Sequence, residues 1–338
     1  MERPAWIRQL SLAVGLAMLP GLRIAAAGEN AAAQFVEGPL SVMVLGSGGP
    51  VATPKGRASA GYLIFTDGEP RILMDAGGGT YQRLAASGVN IKDLDLVLLS
   101  HLHIDHTSDL SAMIKTLYFH NRGAGTRREA PIRIYGPGGN GKTFPGSDVP
   151  QYPATTAYVD GHYSMPGGVQ RYLHVFAGAI RGGSFDYSTR NIDPALGEPV
   201  RTVLEEDGLV VKAVGVVHGP VPALAYRVEY KGRRIVFSGD TSTETDNMIA
   251  VAKGADLLIY DTAIMDDVPE ERVFFKLHTT PSRIGEVAAK TRPGRLVLSH
   301  ITPVTDPRLD EVQRLIRAQG YKGKLNVAQD LDVYNLGQ

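Results

Sequence analysis

Short apolar runs punctuated by Gly, Pro and Asp begin at Leu40 and recur almost to the C-terminus. Leu40 to Leu45 alternates loosely and stops at Gly46-Ser47-Gly48-Gly49-Pro50, which predicts a strand entering a tight turn. Ala60 to Phe65 and Arg71 to Met74 predict the next strands, with Asp67-Gly68 as a hairpin turn. Leu96 to Leu99 reads as a short buried strand, and Ile132 to Tyr135 as another that stops at Gly136-Pro137. Thr80 to Ser87 and Thr107 to Phe119 have helical spacing, the second with Leu110, Met113, Ile114 and Leu117 on one face. Beyond Pro199, strands are expected at Leu209–Val217, Leu224–Tyr230, Ile235–Ser238, Leu257–Tyr260 and Leu296–Leu298, with Lys231-Gly232 as a turn. Helices are expected at Glu244–Lys253, Ser282–Lys290 and Arg308–Ala318, completing a β/α alternation. No internal repeat shows by motif.

Between Lys142 and Pro199 the periodicity is lost. This stretch is rich in Gly, Pro and aromatics, among them Phe144, Tyr152, Tyr158 and Tyr187. A long irregular insertion in a compact domain is usually functional or disordered, and the aromatics argue against disorder. A lid or wall over a site, or a homodimer contact, are the two uses expected of it.

Composition adds three things. With 43% hydrophobic and 21% charged residues, the chain can bury a sizeable core and remain soluble. Lys plus Arg equals Asp plus Glu, 35 each, so no global field draws it to nucleic acid. The first residues stand apart: Arg3 and Arg8, a short apolar core from Leu10 to Leu19, then Ala25-Ala26-Ala27-Gly28. That order predicts a secretory leader over residues 1–27, with cleavage after Ala27, or after Ala33 as second choice. An N-terminal amphipathic helix is the competing reading, fed by Arg23. The apolar core is too short to span a bilayer and no Cys is present for a lipid anchor, so no stable membrane attachment is expected. The mature domain would run from residue 38 to 338, in the periplasm or outside the cell, or in the cytoplasm if the N-terminal segment is not a leader.

The chemistry is concentrated in Ser100-His101-Leu102-His103-Ile104-Asp105-His106, directly after a buried strand. Imidazole and carboxylate are ligands of the zinc type, and a four-Cys site is excluded. Nine histidines in 338 residues make a chance grouping of three in six positions improbable. His218, Asp240 and His300 each lie just past an apolar strand, as His101 does, so all four can meet at one edge of the sheets.

His-x-His-x-Asp-His after a hydrophobic strand resembles the metallo-β-lactamase superfamily, and more narrowly its ribonuclease Z-like branch, which includes phosphodiesterases and arylsulfatases. The likeness extends from about Val42 to His300. It implies an αββα sandwich of two mixed β-sheets, face to face with helices outside. It implies two Zn2+ ions, with Mn2+ or Fe as substitutes: His101, His103 and His218 on the first, Asp105, His106 and His300 on the second, and Asp240 bridging. Asp75 opens a stretch similar to that branch's Asp-x-Gly-Glu-Gly-Thr-Gln, with Gly78 and Tyr81 in place of its acidic and amide residues. Its implied role is to orient a ligand imidazole. His278-Thr279-Thr280 is similar to the His-Ser-Thr element of ribonuclease Z, which makes His278 a proton donor to the leaving oxygen. Asp261 stands where those enzymes carry the glutamate that partners this histidine. Asp105 would also accept a hydrogen bond from the attacking water.

The activity expected is therefore hydrolysis of a phosphodiester or aryl sulfate ester by an exported binuclear metal enzyme, with a small-molecule substrate. The alternatives are a tRNA 3′-endonuclease of the ribonuclease Z type and a lactonase or β-lactamase. No nucleic acid partner is expected, because the segment from Lys142 to Pro199 carries only Lys142, Arg171, Arg181 and Arg190 as basic residues.

Overall fold

The computed structural model describes residues 35–123, 130–173 and 186–337. The leader expected at residues 1–27 lies outside them. Strands β1 (Leu40–Gly46), β2 (Gly61–Thr66), β3 (Glu69–Ala76), β4 (Leu96–Leu98), β5 (Ile132–Pro137), β6 (Tyr187–Ile192) and β7 (Arg201–Glu206) come first. They are followed by β8 (Leu209–Val216), β9 (Ala223–Tyr230), β10 (Arg233–Phe237), β11 (Leu257–Asp261), β12 (Arg295–Ser299), β13 (Lys324–Val327) and β14 (Val333–Leu336). Two seven-stranded sheets result, ordered β14-β1-β2-β3-β4-β5-β6 and β13-β12-β11-β10-β9-β8-β7.

Each sheet contains the same pattern. In the first, β1, β2 and β3 pair antiparallel and β4, β5 and β6 continue parallel. In the second, β8, β9 and β10 are antiparallel and β11, β12 and β13 parallel. The extra strands β14 and β7 close the antiparallel ends. No motif repeats between the halves, yet their topology does.

Alternating side chains build three apolar layers. Leu40, Val42 and Val44 of β1 point between the sheets, where they meet Tyr226, Val228, Phe237 and Ile259. Met43 and Leu45, on the opposite face, pack under Leu84, Met113, Leu117 and Val159. The outer face of the second sheet is covered through Met248, Val251, Ile284, Val287, Val312 and Ile316. A strand buried on both faces reads as a continuous apolar run, which is why β1, β4 and β11 show little alternation. The helices are α1 (Thr80–Ser87), α2 (Ile104–Thr107), α3 (Leu110–Gly123), α4 (Thr155–Tyr163), α5 (Asn247–Ala252), α6 (Val273–Leu277), α7 (Pro281–Thr291) and α8 (Leu309–Ala318), of which α6 buries no residue.

Two expectations are corrected. The helix expected from Thr107 to Phe119 is split into α2 and α3 at Ser108-Asp109. Asp109 turns its carboxylate away and accepts the backbone N–H of Gly79 (2.9 Å) and Tyr81 (3.0 Å), satisfying donors at the start of α1. The stretch 142–199 is not wholly irregular: it holds α4 and the edge strand β6. Residues of β6 are mostly exposed, so no apolar alternation marked it.

Candidate metal centre

All the candidate residues but His278, which caps the C-terminus of helix α6, lie at or just past the C-terminal end of a strand, where open α/β sheets leave a crevice for ligands. Asp75 closes β3, and His101 to His106 follow β4 into the short helix α2. His218 comes two residues after β8, Asp240 follows β10, Asp261 ends β11 and His300 follows β12. Both sheets thus contribute to one centre.

The structure forms three groups, the second and third sharing Asp240 and His300, and within each group the nitrogen and carboxylate ligand atoms lie within 4.8 Å of one another. In the first, His101 Nε2 lies 3.0 Å and His218 Nε2 3.2 Å from His103 Nδ1. Burial lowers all three imidazoles, His218 to about 4, so they are neutral near pH 7 and present lone pairs. Facing lone pairs repel unless a cation sits among them. The tautomer is set from outside: His218 Nδ1 lies 2.7 Å from the carbonyl of Leu277, which leaves Nε2 for the centre.

The second group joins Asp105, His106, Asp240 and His300, all buried. His300 Nε2 stands 3.1 Å from Asp105 and 3.2 Å from Asp240, and His106 Nε2 stands 3.4 Å from each carboxylate. Burial would lower His106 and His300, but the Asp240 and Asp105 carboxylates outweigh it and raise both. Conversely, burial would raise Asp240, and His300 and His106 hold it well below its ordinary value. His106 Nδ1 is engaged by Asp75 at 2.9 Å, while its Nε2 is buried with no hydrogen-bond partner. An unpartnered buried nitrogen aimed at two carboxylates, in a set without sulfur, fits a divalent metal of the zinc type.

The third group adds His278 and Asp261. His278 Nδ1 lies 2.8 Å from Asp261 Oδ2 but 3.9 Å from Asp240. Burial lowers the His278 imidazole, and the adjoining Asp261 carboxylate raises it more, so the net direction is upward. Among the described residues its Nε2 makes no hydrogen bond.

All the residues named from the sequence meet here: His101, His103, Asp105, His106, His218, Asp240, Asp261, His278 and His300. Asp75 joins them behind His106. His162 is on the exposed face of α4 beside Tyr158; the side chain of His120, and all of His174, lie outside the described residues. Ser100 was missed. Its N–H and hydroxyl donate to Asp75 (2.7 and 2.8 Å), pinning the carboxylate that orients His106. A Ser at a strand end beside a ligand histidine carries no signal of its own.

Backbone strain collects at the centre. Asp75 and His300 sit at φ 56 and 59, a left-handed conformation that costs a non-glycine residue about 1 kcal/mol or more. A Cβ on Gly77 would fall 1.9 Å from the carbonyl oxygen of Asp105, and one on Gly49 2.8 Å from the His300 ring. Glycine there lets the turns lie against the ligand loops.

Comparison with known proteins points the same way. The family description "Metallo-beta-lactamase superfamily" matches residues 54–268. Ribonuclease Z of Mycobacterium bovis (strain BCG / Pasteur 1173P2) is 29% identical over 301 residues, covering 86% of this chain and 96% of that protein. Human tRNase Z, short form, superposes with a TM-score of 0.61 at 22% identity, covering 87% of this chain and 98% of its own. Zn2+-bound PqqB from Methylobacterium extorquens superposes with a TM-score of 0.57 at 18% identity, covering 88% and 100%. With an αββα sandwich and His/Asp groups at one edge of both sheets, this chain belongs to the metallo-β-lactamase superfamily of metal-dependent hydrolases.

Proposed function

We propose that this hydrolase cleaves phosphodiester bonds, with His278 as the general acid. The observation that carries the reading is the His278–Asp261 pair, buried beside the ligand groups yet not needed to complete either. Hydrolysis of an ester with a poor oxygen leaving group requires a proton donor at that oxygen, whereas β-lactam cleavage need not. His101, His103 and His218 would hold one divalent ion, and Asp105, His106 and His300 a second, with Asp240 facing both. Zinc is the metal we assign, with manganese or iron as substitutes. Bound there, the ions supply Lewis acidity, a more acidic water and neutralisation of charge at the phosphoryl oxygens. Asp105 accepts a hydrogen bond from the attacking water and aims it. His278, held through Nδ1 by Asp261, turns Nε2 towards the leaving oxygen and protonates it. An aryl sulfate ester is the next substrate class the same arrangement accepts.

RNA is the second reading. The expectation that nucleic acid plays no part sits poorly with relatives named ribonuclease Z that align along 86% of the chain. Sparse basic residues in one segment say nothing of an RNA bound elsewhere. One panel decides: the metal-replete protein against bis-p-nitrophenyl phosphate, p-nitrophenyl sulfate, a tRNA precursor, a lactone and nitrocefin. Turnover of the phosphodiester well above all others is expected; faster cleavage of the tRNA precursor installs the second reading, and activity on nitrocefin alone removes both. We further propose export, on the leader-like N-terminus. N-terminal sequencing from the native host is expected to begin near Gly28. An intact Met1 terminus in the cytosol refutes it.

A further inference from the structure

Beside His278 opens a cavity of about 210 Å³ whose wall is formed largely by Val51, Ile264, Val268, Phe274 and Val304. Thr302 also lines it, but its hydroxyl is already given to the carbonyl of Ala263 at 2.8 Å. Among the described residues, His278 is the one titratable group in this wall. Val51, Phe274 and Val304 are 58%, 55% and 50% exposed. They come from three separate elements, the turn after β1, helix α6 and the loop after β12. Large apolar side chains gathered in the open at the mouth of a site mark a surface that a ligand covers. A second apolar cavity, of about 260 Å³, lies on the His103 side between Leu102, Tyr152, Tyr158 and Pro222. The two share no residue. Tyr152 and Tyr158 of the 142–199 segment thus flank His103, not His278.

We propose that the His278 cavity holds the leaving alcohol, so that the preferred substrate is a phosphodiester whose leaving group is an aryl or branched alkyl alcohol. The inference rests on the reading of His278 as general acid. A proton passed from Nε2 requires the leaving oxygen at His278, and the carbon skeleton attached to that oxygen then lies against the wall His278 belongs to. A cavity of about 150 Å³ suffices for a benzene ring, so this one accepts a single substituted ring. A nucleoside in the same place would bring several hydroxyl and base-edge atoms to a wall offering them almost no partner, each a penalty of about 1–3 kcal/mol. The step balances without redox change. Water oxygen bonds to phosphorus, the bond from phosphorus to the alcohol oxygen breaks with its electron pair, His278 protonates that oxygen, and a water proton is released.

The test uses methyl aryl phosphodiesters whose phenols have similar acidity: 4-tert-butylphenol and 4-(hydroxymethyl)phenol. The metal-replete protein is expected to favour the tert-butyl compound in kcat/KM by about tenfold, the scale of burying a few carbon atoms. Phe274→Ala and Val304→Ser are each expected to shrink that preference to about twofold. A second readout needs no metal: 4-(trifluoromethyl)phenol titrated into the metal-free protein and followed by 19F NMR. Its affinity is expected to fall about fivefold or more in Phe274→Ala and to stay in Tyr158→Ala. Equal rates for the two diesters, or a phenol affinity that follows Tyr158 instead of Phe274, overturn the proposal. Should neither diester be cleaved, the phosphodiester reading fails, and the titration alone then decides the cavity, with absence of binding refuting it.

Discussion

Asp261 and Asp75 do the same kind of work on different histidines. Each buried carboxylate engages Nδ1 of an imidazole, Asp261 on His278 at 2.8 Å and Asp75 on His106 at 2.9 Å, and so decides what Nε2 faces. The consequences differ because the histidines do. His278→Ala is expected to leave metal content intact and lower turnover by about 10²–10⁴-fold, with a smaller loss on p-nitrophenyl esters, whose leaving group needs little protonation. Metal analysis with a leaving-group series checks this, and loss of an ion, or an equal loss across the series, contradicts the assigned role. Asp75→Asn acts on a ligand instead. Weakened orientation of His106 predicts metal affinity lower by about 10–100-fold, read by competition with a chromophoric chelator.

Turns between elements bear directly on the centre. Gly77 ends the β3 turn against the backbone of Asp105, where a Cβ would be 1.9 Å from the carbonyl oxygen. Because that obstacle is backbone, it cannot rotate aside, and Gly77→Ala must displace the loop carrying Asp105 and His106. An overpacking cost of about 1–3 kcal/mol is expected in denaturant titration, accompanied by loss of metal. A stability loss with full metal content shows that the loop yields without moving its ligands. Hairpins were legible to different degrees. Asp67-Gly68 and Lys231-Gly232, both residues of each with positive φ, stand between apolar strands and were read correctly. Asp207-Gly208 has the same conformation and joins β7 to β8, yet it was overlooked. Its strand β7 is mostly partly exposed or exposed, so the dipeptide lacked an apolar run on one side. The dipeptide itself was the signal.

At the scale of the whole molecule, the centre stitches two sheets together. His101, His103, Asp105 and His106 follow a strand of one sheet, and His218, Asp240 and His300 strands of the other. Metal removal is therefore expected to loosen the sandwich as well as abolish activity. An ion at a hundred times its Kd contributes about 2.7 kcal/mol, which predicts a fall of several degrees in Tm on chelation. Differential scanning calorimetry with and without chelator tests it, and an unchanged Tm shows the sheets hold without the ions. An ionic contact ties the sheets elsewhere: Glu206 of β7 accepts both Nη atoms of Arg133 of β5 at 2.8 Å. Arg133 holds the Glu206 carboxyl below its ordinary value, the contact being the main cause. A lowered carboxylate contributes its stability above the ordinary carboxylate range and loses it as pH falls through the lowered value. Being partly exposed, the pair is worth about 0.2–1 kcal/mol. Glu206→Gln is expected to cost that much at pH 7 and nothing near pH 2, by urea titration.

The covalent pattern alone determined the apolar strands, most of the covering helices and the identity of the clustered residues. Continuous runs such as Leu96 to Leu99 are local features, and a dense His/Asp motif behind one of them is legible without any partner. Where β6, β7, β13 and β14 sit was decided only in three dimensions. These are edge strands or their neighbours, their side chains mostly half-buried or exposed, and they are held by pairing with another strand instead of by a pattern of their own. Tertiary structure also decided which of the late residues converge. Single His and Asp residues at strand ends (218, 240, 261 and 300) and at the end of helix α6 (278) acquire meaning only when both sheets present the same ends to one crevice. The cavity beside His278 belongs wholly to this second class. Val51, Phe274 and Val304 are far apart in the chain, no local periodicity links them, and only the packing of two sheets brings them to one wall.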